Sequence, residues 1–333
     1  MLHMERSILK LPNELLISLI EHIDGPSRAA LAQTCRTLNL LTTPYLYEAV
    51  NIQLDKSNEF VRTIKTKYAD LVRHVTVAAR DHNLDISPCR IVPCLDKLEN
   101  MQSLTLAGGY WMWDTDEENW DTLEDYLWDY LGKASLKQPV ESRVSTNLRS
   151  LTLDRSECNG QAAFLHCSSI FIIPQLHDLT IRGFMLEEED TDIDPQFERQ
   201  TELKSLRIER SFVNFVALKK ALLAPRALRY LSIGHAEYFW HHELKNAEYN
   251  QATVTEFVGA LLPHRDTLEE IKVIVDYDGS RESTLTANAS SFRKHATQFP
   301  VLKRWLGCDK TTLSHYLNSD EPSSSDEDRE DNE

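Results

Sequence analysis

The sequence predicts an α/β protein in which a small N-terminal helical unit precedes an irregular solenoid with a parallel sheet on its concave face. Three observations support this prediction. Short apolar helices interrupted by prolines occupy the N-terminus, one apolar phrase recurs eight times through the middle of the chain, and the last sixteen residues are strongly acidic. We therefore expect a helical domain at 8–47, a solenoid at 48–317 with an insertion at about 108–147, and a disordered acidic tail at 318–333.

The N-terminal unit is predicted from apolar residues at helical spacing. The first helix carries its apolar stripe on Leu15, Leu16, Leu19, Ile20 and Ile23. Pro12 suits a helix start, and Gly25-Pro26 is expected to end the helix. A second short helix can carry Leu31 and Cys35 on one side, and Pro44 is expected to halt the third. About forty residues is near the lower limit for an independent domain, so this unit must pack against the rest of the chain, a partner, or both.

These residues stand in the order of an F-box, which the segment resembles. The matching blocks are Leu11-Pro12-x-Glu14-Leu15-Leu16, Ile20, Leu31 through Arg36, and Pro44-Tyr45-Leu46-Tyr47. The resemblance implies docking onto a Skp-type adaptor, which joins a cullin scaffold to form an SCF ubiquitin ligase. The adaptor-binding residues it implies are Leu11, Pro12, Glu14, Leu15, Leu16, Leu19, Ile20, Leu31 and Cys35.

The second helix departs from the family pattern. Asp24-Gly25-Pro26-Ser27-Arg28 stands where many F-boxes have an aspartate-leucine pair opening that helix. The departure leaves the details of the second helix open. The alternative interpretation of the whole segment is an ordinary helical hairpin that packs on its own core.

Composition narrows the class of protein. The cysteines at 35, 89, 94, 158, 167 and 308 form no CxxC pair and no metal-ligand spacing, so we predict reduced thiols, no metal and no cofactor. Arg6, Lys10 and Glu14 interrupt any N-terminal secretory signal, and no apolar run reaches membrane-spanning length. A net charge of −16 argues against nucleic acid as the main partner. We expect a cytoplasmic or nuclear protein with no membrane partner.

The solenoid is predicted from the phrase apolar-x-x-apolar-x-apolar. Its eight copies are Tyr47/Val50/Ile52, Val72/Val75/Val77, Met101/Leu104/Leu106, Leu148/Leu151/Leu153, Leu176/Leu179/Ile181, Leu203/Leu206/Ile208, Leu228/Leu231/Ile233 and Leu268/Ile271/Val273. Successive copies lie 25 to 47 residues apart, and apolar residues two apart face one side of a strand. The helix-like segments between copies are Asn58–Leu71, Thr122–Leu131, Gln161–Phe171, Asn214–Ala224 and Thr253–Leu262.

This region resembles the degenerate leucine-rich repeats found behind F-boxes, especially in fungal proteins. It departs from the standard pattern because the asparagine or cysteine expected three places after the last strand leucine is missing. The residues there are Gly109, Ser156, Phe184, Ser211 and Ala236. An irregular α/β domain is the rival interpretation.

Two surfaces are candidates for binding a protein substrate. Residues alternating with the strand leucines bring Asp154, Arg182, Arg207 and Glu209 onto one face, as a charged mosaic or as a solvated face of self-paired ions. The segment Gly108–Gly132 carries four of the six tryptophans and eight acidic residues. Trp111 and Trp113 are its candidate anchors, although these aromatics could instead cover the side of the solenoid. Its later apolar residues, including Tyr130 and Leu131, are expected to pack on the solenoid.

No catalytic motif is present, since GxSxG, P-loop, GxGxxG and HExxH patterns are all missing. We therefore expect a non-catalytic substrate receptor of an SCF-type ubiquitin ligase. A structural or regulatory scaffold that binds the adaptor outside ubiquitination is the alternative. A third reading is an independent enzyme with an N-terminal helical cap.

Overall fold

The protein is described by a computed structural model. It covers residues 10–53, 63, 67–79, 92–108, 130–132, 147–155, 163–165, 168–188, 191, 193–235, 254–275 and 295–307. The helices in these ranges are α1 Asn13–His22, α2 Gly25–Ala32, α3 Arg36–Tyr47, α4 Val92–Leu95, α5 Phe215–Leu223 and α6 Val254–Leu261. In the described ranges, none of these helices has the length and apolar character needed to cross a membrane.

Twelve strands occur in the described residues. They are β1 Ala49–Gln53, β2 His74–Ala79, β3 Ser103–Gly108, β4 Ser150–Asp154, β5 Ala163–Phe164, β6 Asp178–Arg182, β7 Phe184–Leu186, β8 Ser205–Glu209, β9 Phe212–Val213, β10 Tyr230–His235, β11 Glu270–Val275 and β12 Arg304–Gly307. The chain is thus a mixed helix and sheet protein, as predicted.

The three N-terminal helices follow the prediction in number but differ at two prolines. Pro12 precedes α1, as expected, whereas Gly25 and Pro26 form the first turn of α2 and do not close α1. The prediction that Pro44 halts the third helix is wrong, because α3 continues through it to Tyr47. Proline removes the hydrogen bond to the carbonyl four residues earlier. That carbonyl belongs to Leu40, which is 66% exposed, so water can satisfy it.

The main sheet has nine strands in the order β1-β2-β3-β4-β6-β8-β10-β11-β12, and every pairing is parallel. The predicted parallel sheet is therefore confirmed, and each of the eight phrases supplies one strand. The pairing is in step, so that Leu104 faces Leu151, Leu151 faces Leu179, and equivalent residues continue across the sheet. The ninth strand, β12, was not predicted because Gly307 replaces the last apolar residue of its phrase.

In-step pairing turns the repeated phrase into continuous buried rows. The first row lies just before the strands and contains Val72, Met101, Leu148, Leu176, Leu203, Leu228 and Leu268, each at most 1% exposed. The second contains Val75, Leu104, Leu151, Leu179, Leu206, Leu231 and Ile271, also at most 1% exposed. Because each row is shared between neighbouring strands, no single strand could bury its apolar side alone.

Three short strands that alternate in sequence with strands of the main sheet form a second, parallel sheet in the order β5-β7-β9. The chain enters β7 and β9 by a sharp turn directly after β6 and β8, where Gly183 and Arg210 have positive φ values of 75° and 49°. Glycine adopts this conformation without steric cost, whereas Arg210 does not. The turn redirects the backbone from one sheet to the other.

The predicted connecting helices have mixed outcomes. Asn214–Ala224 and Thr253–Leu262 are confirmed, since α5 and α6 lie within them. Gln161–Phe171 is wrong as a helix, because β5 and the 3-10 segment Ser168–Ile172 occupy it. Most of Asn58–Leu71 and Thr122–Leu131 lies outside the described residues.

Ser211 stands where the leucine-rich-repeat pattern has an asparagine, and its side chain makes hydrogen bonds between neighbouring repeats. Its side chain is 1% exposed. The Ser211 hydroxyl accepts a hydrogen bond from the Phe184 backbone N–H at 3.3 Å and donates to the Glu209 carbonyl at 2.9 Å. Phe184 belongs to the preceding repeat, so the hydroxyl links two neighbouring repeats through buried backbone groups. An asparagine side chain at this position would satisfy the same kind of group.

A buried histidine joins the end of α5 to the start of β10. His264 is 1% exposed. Its Nε2 donates to the Leu222 carbonyl at 2.7 Å, and its Nδ1 accepts from the Leu228 N–H at 3.4 Å. Burial lowers the pKa of His264, and the nearby Arg199 charge acts in the same direction. The imidazole is therefore held neutral, with both nitrogens engaged.

This geometry predicts a loss of stability in mild acid. The pKa of His264 is lower in the folded chain than in the unfolded chain, so the unfolded chain binds the proton more readily between the two values. The stabilisation should be complete above the ordinary histidine pKa of about 6.5 and should fall as the pH drops towards the folded value. Urea unfolding at pH 7.5 and 5.0 measures it. We expect the His264→Gln protein to show a smaller pH effect than the parent, whereas the control His74→Gln, at an exposed position, should not. Equal pH effects in the parent and in His264→Gln would contradict the assignment.

Candidate functional site

Helix α1 presents apolar side chains to solvent. Leu11 is 41% exposed, Leu15 55% and Leu19 37%. The spacing of four residues places Leu15 and Leu19 on one side of the helix, and Leu11 lies just before the helix start. We call these three residues the leucine ridge. Each leaves part of a large apolar side chain in water, and three such side chains in one short segment form the kind of patch that marks a protein contact.

The nine predicted adaptor-binding residues divide into three groups in the structure. Pro12 and Glu14 are exposed beside the leucine ridge, and Leu31 and Cys35 are half-buried. Leu16 and Ile20 are 2% and 0% exposed. These two therefore support the surface from inside and do not form it. An α-helix turns about 100° per residue, so Leu15 and Leu16 necessarily face different sides.

The interior of the helical unit is small. Besides Leu16 and Ile20, its buried residues are Ala32, Leu38 and Thr42. So few apolar side chains leave little hydrophobic stabilisation for three helices. Polar contacts between the helices consequently carry more of the structure than they would in a larger core.

Arg28 provides the main polar contact. Its guanidinium donates from Nε to the Ile20 carbonyl at 2.9 Å and from Nη2 to the Glu21 carbonyl at 3.0 Å, both in the last turn of α1. A longer bond from Nη1 reaches the Tyr45 carbonyl in α3 at 3.5 Å. The Tyr45 hydroxyl in turn donates to Glu21 Oε1 at 3.1 Å. One cation thus satisfies the carboxyl end of α1, where positive charge is favourable, and ties all three helices together.

Removing this contact should loosen the helical unit. We expect Arg28→Met to cost about 1–2 kcal/mol, because the Ile20 and Glu21 carbonyls lose a charged donor while the aliphatic stem is kept. Hydrogen exchange of the α1 amides measures the effect directly. Arg36→Met is the matched control, since Arg36 is exposed. Unchanged protection in Arg28→Met would show that the three bonds do not hold α1.

The unusual opening of α2 also has a physical explanation. The Asp24 carboxylate accepts a hydrogen bond from the Ser27 N–H at 2.8 Å, and Pro26 occupies the first turn, where no N–H donor is needed. Hydrogen bonding with the Ser27 side chain and with its backbone N–H lowers the pKa of Asp24. The sequence that departs from the family pattern therefore still starts a helix, and its Arg28 supplies the contact described above.

The predicted charged mosaic forms on the outward face of the main sheet. Arg182 on β6 lies between two carboxylates, at 3.2 Å from Asp154 Oδ2 on β4 and 3.0 Å from Glu209 Oε2 on β8. Burial disfavours the guanidinium charge, but the two carboxylates outweigh it and raise the pKa of Arg182. Arg207 lies 4.9 Å from the centre of the Tyr230 ring. The four predicted residues are brought together, and their ionic groups are largely satisfied within the chain.

The second predicted surface is only partly described. Trp111 and Trp113 lie outside the described residues. Tyr130 and Leu131, at the end of the same segment, are 3% and 0% exposed and belong to the core. The prediction that they pack on the sheet region is confirmed. Within the described ranges, no cluster of three or more histidine, cysteine, aspartate or glutamate side chains could hold a metal ion.

One known protein family matches the helical unit. Residues 8–43 match the family described as F-box domain. The match supports an F-box protein, a class whose members generally bind Skp1-type adaptors within SCF complexes and are non-catalytic ligase components. No curated protein matches the chain. The match covers about a ninth of the chain, so the sheet region is interpreted from its own geometry.

The exposed leucines are predicted from sequence, whereas the contact of Arg28 with the end of α1 is not. The leucines follow from their spacing, whereas the carbonyl partners of Arg28 carry no side-chain signal. One feature of the sequence does point to this contact. Arg28 is the only cation in α2, GPSRAALA. Because α2 begins just after the end of α1, a cation there can cap the last carbonyls of α1.

Proposed function

We propose that this chain is the substrate-recognition subunit of an SCF-type cullin ubiquitin ligase. Its F-box would dock a Skp-type adaptor through the leucine ridge, and its sheet region would bind the protein to be ubiquitinated. The observation that carries the proposal is the exposure of Leu11, just before α1, and of Leu15 and Leu19 on α1, inside the segment that matches the F-box family. No cofactor is required, because ubiquitin transfer belongs to other subunits.

The energetics favour docking by this ridge. Fully burying an exposed leucine contributes about 1.5–3 kcal/mol. The three ridge leucines are 37–55% exposed, so each would contribute roughly half of that, and together they can supply a substantial part of an interface. Pro12 and Glu14 flank the ridge and would lie at its rim. Leu31 and Cys35 would contribute less, since both are half-buried already. Leu16 and Ile20 would act indirectly by holding α1 in place.

We further propose that residues 48–317 form an irregular leucine-rich-repeat solenoid of the degenerate, fungal type. Its support is the in-step parallel pairing of nine strands and the buried rows formed by one repeated phrase. The inter-repeat contact of Ser211 is consistent with this proposal. The insertion at about 108–147 and the acidic tail at 318–333 complete the proposed organisation, and a cytoplasmic or nuclear location suits it.

The proposed substrate contacts are the outward mosaic and the tryptophans. Asp154, Arg182, Arg207 and Glu209 would recognise a charged protein segment, with Trp111 and Trp113 as aromatic anchors. The mosaic would have to exchange internal ion pairs for contacts with a substrate, which favours specificity over affinity.

Affinity purification tests the proposed function. The full chain and a chain lacking residues 1–47 are expressed with a tag, and co-purified proteins are identified by mass spectrometry. We expect the adaptor and a cullin with the full chain only, and substrate candidates with both. Adaptor without cullin would favour the alternative, a scaffold outside ubiquitination. A purified chain with hydrolytic activity and no adaptor would favour an enzyme.

A further inference from the structure

A row of basic side chains crosses the sheet at the amino ends of its strands. Each residue immediately before a strand donates its backbone N–H to the equivalent carbonyl of the previous repeat. These bonds run from Gln102 to Arg73, Arg149 to Gln102, His177 to Arg149 and Lys204 to His177, at 2.7, 2.7, 2.7 and 2.8 Å. We call Arg73, Gln102, Arg149, His177 and Lys204 the basic row. Their side chains follow one another at the strand spacing of about 4.8 Å.

The cations of this row have no anionic partner in the described part of the chain. No carboxylate there lies within 4.0 Å of the charged groups of Arg73, Arg149 or Lys204. The row ends on one side at Glu48. On the other side the same ladder continues as Arg229, Glu269 and Lys303, where Glu269 pairs with both cations at 3.8 and 2.5 Å. The unpaired charge is therefore confined to β2 through β8.

The pKa of His177, the histidine within the row, responds to the charges around it. Burial lowers the pKa of His177, and the charges of Lys204 and Arg149 on either side lower it further. Asp178 and Glu202 act in the opposite direction. Of these two, Glu202 is already paired with Arg226 at 3.0 Å. Positive charge thus acts on His177 from the neighbouring strands on both sides, in a chain whose net charge is −16.

A line of threonines crosses the same strands three residues beyond the row. On the outward face of the adjoining strands, Thr76 pairs in register with Thr105, Thr105 with Thr152, and Thr152 with Thr180. We call these four residues the hydroxyl strip. The structure gives none of the four hydroxyls a hydrogen-bond partner among the residues it describes, so all remain available to an incoming acceptor. Carboxylates accept hydrogen bonds from hydroxyls as readily as they pair with cations.

We propose that the basic row and the hydroxyl strip bind an extended acidic segment of a partner protein, laid across β2 to β8. The proposal deepens the proposed function by naming the class of substrate, and rests on it for that meaning. Arg73 and Lys204 stand four strand spacings apart, about 19 Å, which an extended segment of roughly six residues spans. A segment with several acidic side chains could then contact all three cations at once.

A nucleic acid is the less suitable polyanion for this surface. Proteins that bind single strands combine basic grooves with exposed aromatic rings on which bases stack. Among the described residues, Tyr230 lies on β10 with Arg207 covering its ring at 4.9 Å, and Tyr47 and Tyr68 stack on each other at 4.2 Å. The hydroxyl strip offers hydrogen bonds but no stacking surface, which suits an extended polypeptide.

Fluorescence anisotropy with a labelled deca-glutamate peptide tests the proposal on the full chain. Deca-lysine is the charge-reversed probe and a ten-nucleotide oligothymidylate is the nucleic-acid probe. We expect deca-glutamate to bind, deca-lysine not to bind at the same site, and binding to weaken as salt is raised. The assay contains no adaptor, so its failure would leave adaptor docking untouched and is distinguishable from failure of the proposed function.

Paired variants locate the site. Arg73→Glu with Lys204→Glu should raise the Kd for deca-glutamate at least tenfold. The control, Lys219→Glu with Arg265→Glu, makes the same change in net charge at exposed positions away from the row and should change the Kd less than twofold. Arg73→Gln with Lys204→Gln provides a milder pair if charge reversal impairs folding, which circular dichroism reports.

Three results would overturn the proposal. Equal loss of binding in row and control variants would show only a general charge effect, and absence of deca-glutamate binding to the parent chain would remove the site. Tighter binding of oligothymidylate, lost in the row variants, would identify a nucleic-acid site. Binding of deca-glutamate only after removal of residues 318–333 would show that the row serves the chain's own acidic tail.

Discussion

Replacing Leu15 with glutamate is expected to abolish capture of a Skp-type adaptor while the chain stays folded. Leu15 is the most exposed residue of the leucine ridge, at 55%, so folding does not depend on burying it. Docking would bury its exposed half, and losing that contact costs roughly 1–1.5 kcal/mol. An unpaired carboxylate forced into an apolar interface adds a further penalty of about 1–3 kcal/mol. A combined loss of about 3 kcal/mol corresponds to more than a hundredfold in Kd.

Isothermal titration calorimetry with purified adaptor measures this effect. Leu262→Glu is the matched control, because Leu262 is also an exposed leucine, at 40%, but lies far along the chain after α6. We expect the control to bind like the parent chain. If Leu15→Glu binds the adaptor normally, the leucine ridge is not the docking surface and the proposed site assignment fails.

The ridge and the Arg28 contact together explain how so small a unit can serve as a docking element. The helices bury only a few apolar side chains of their own, and α3 leads directly into β1. Arg28 holds the end of α1 in place, so the ridge is presented in one orientation before any partner arrives. A preorganised surface loses less conformational entropy on binding.

The repeated strands could be predicted from sequence because one side-chain pattern encodes them. Apolar-x-x-apolar-x-apolar places two residues on one side of a strand and a third at the preceding bend, and all eight copies follow it. The pattern does not predict β12, because Gly307 has no side chain to complete the phrase. The sequence predicts a helix at Gln161–Phe171 because its apolar residues also fit a helical period, whereas the pairing of β5 with β7 depends on residues distant in the sequence.

The leucine ridge and the charged mosaic are likewise only partly predictable from sequence. The spacing of Leu11, Leu15 and Leu19 is readable in the sequence, but the difference between Leu15 and Leu16 depends on which side of α1 meets the other helices. Arg182 could be placed beside Asp154 and Glu209 from strand alternation alone. That their charges satisfy one another follows only from side-chain conformation, with oxygen–nitrogen distances of 3.2 and 3.0 Å.

The second large effect is expected in the middle of the buried rows. Leu206 on β8 is completely buried and lies between Leu179 on β6 and Leu231 on β10. Replacing it with alanine removes the contacts on both sides at once, and neighbouring backbone cannot collapse into the space because in-step pairing fixes the strands. Such a substitution typically costs about 3–5 kcal/mol, a large share of the 5–15 kcal/mol that stabilises a typical domain.

Urea unfolding of Leu206→Ala measures this loss, with Thr152→Ala as the control from the outward face of β4. The control should change the unfolding free energy by no more than about 0.5 kcal/mol. Hydrogen exchange adds a test of the solenoid itself. In a repeat array each unit contacts mainly its neighbours, so β6, β8 and β10 should lose protection while α1 keeps it. Loss spread evenly over the whole chain would instead favour the rival interpretation, a single irregular α/β domain with one shared core.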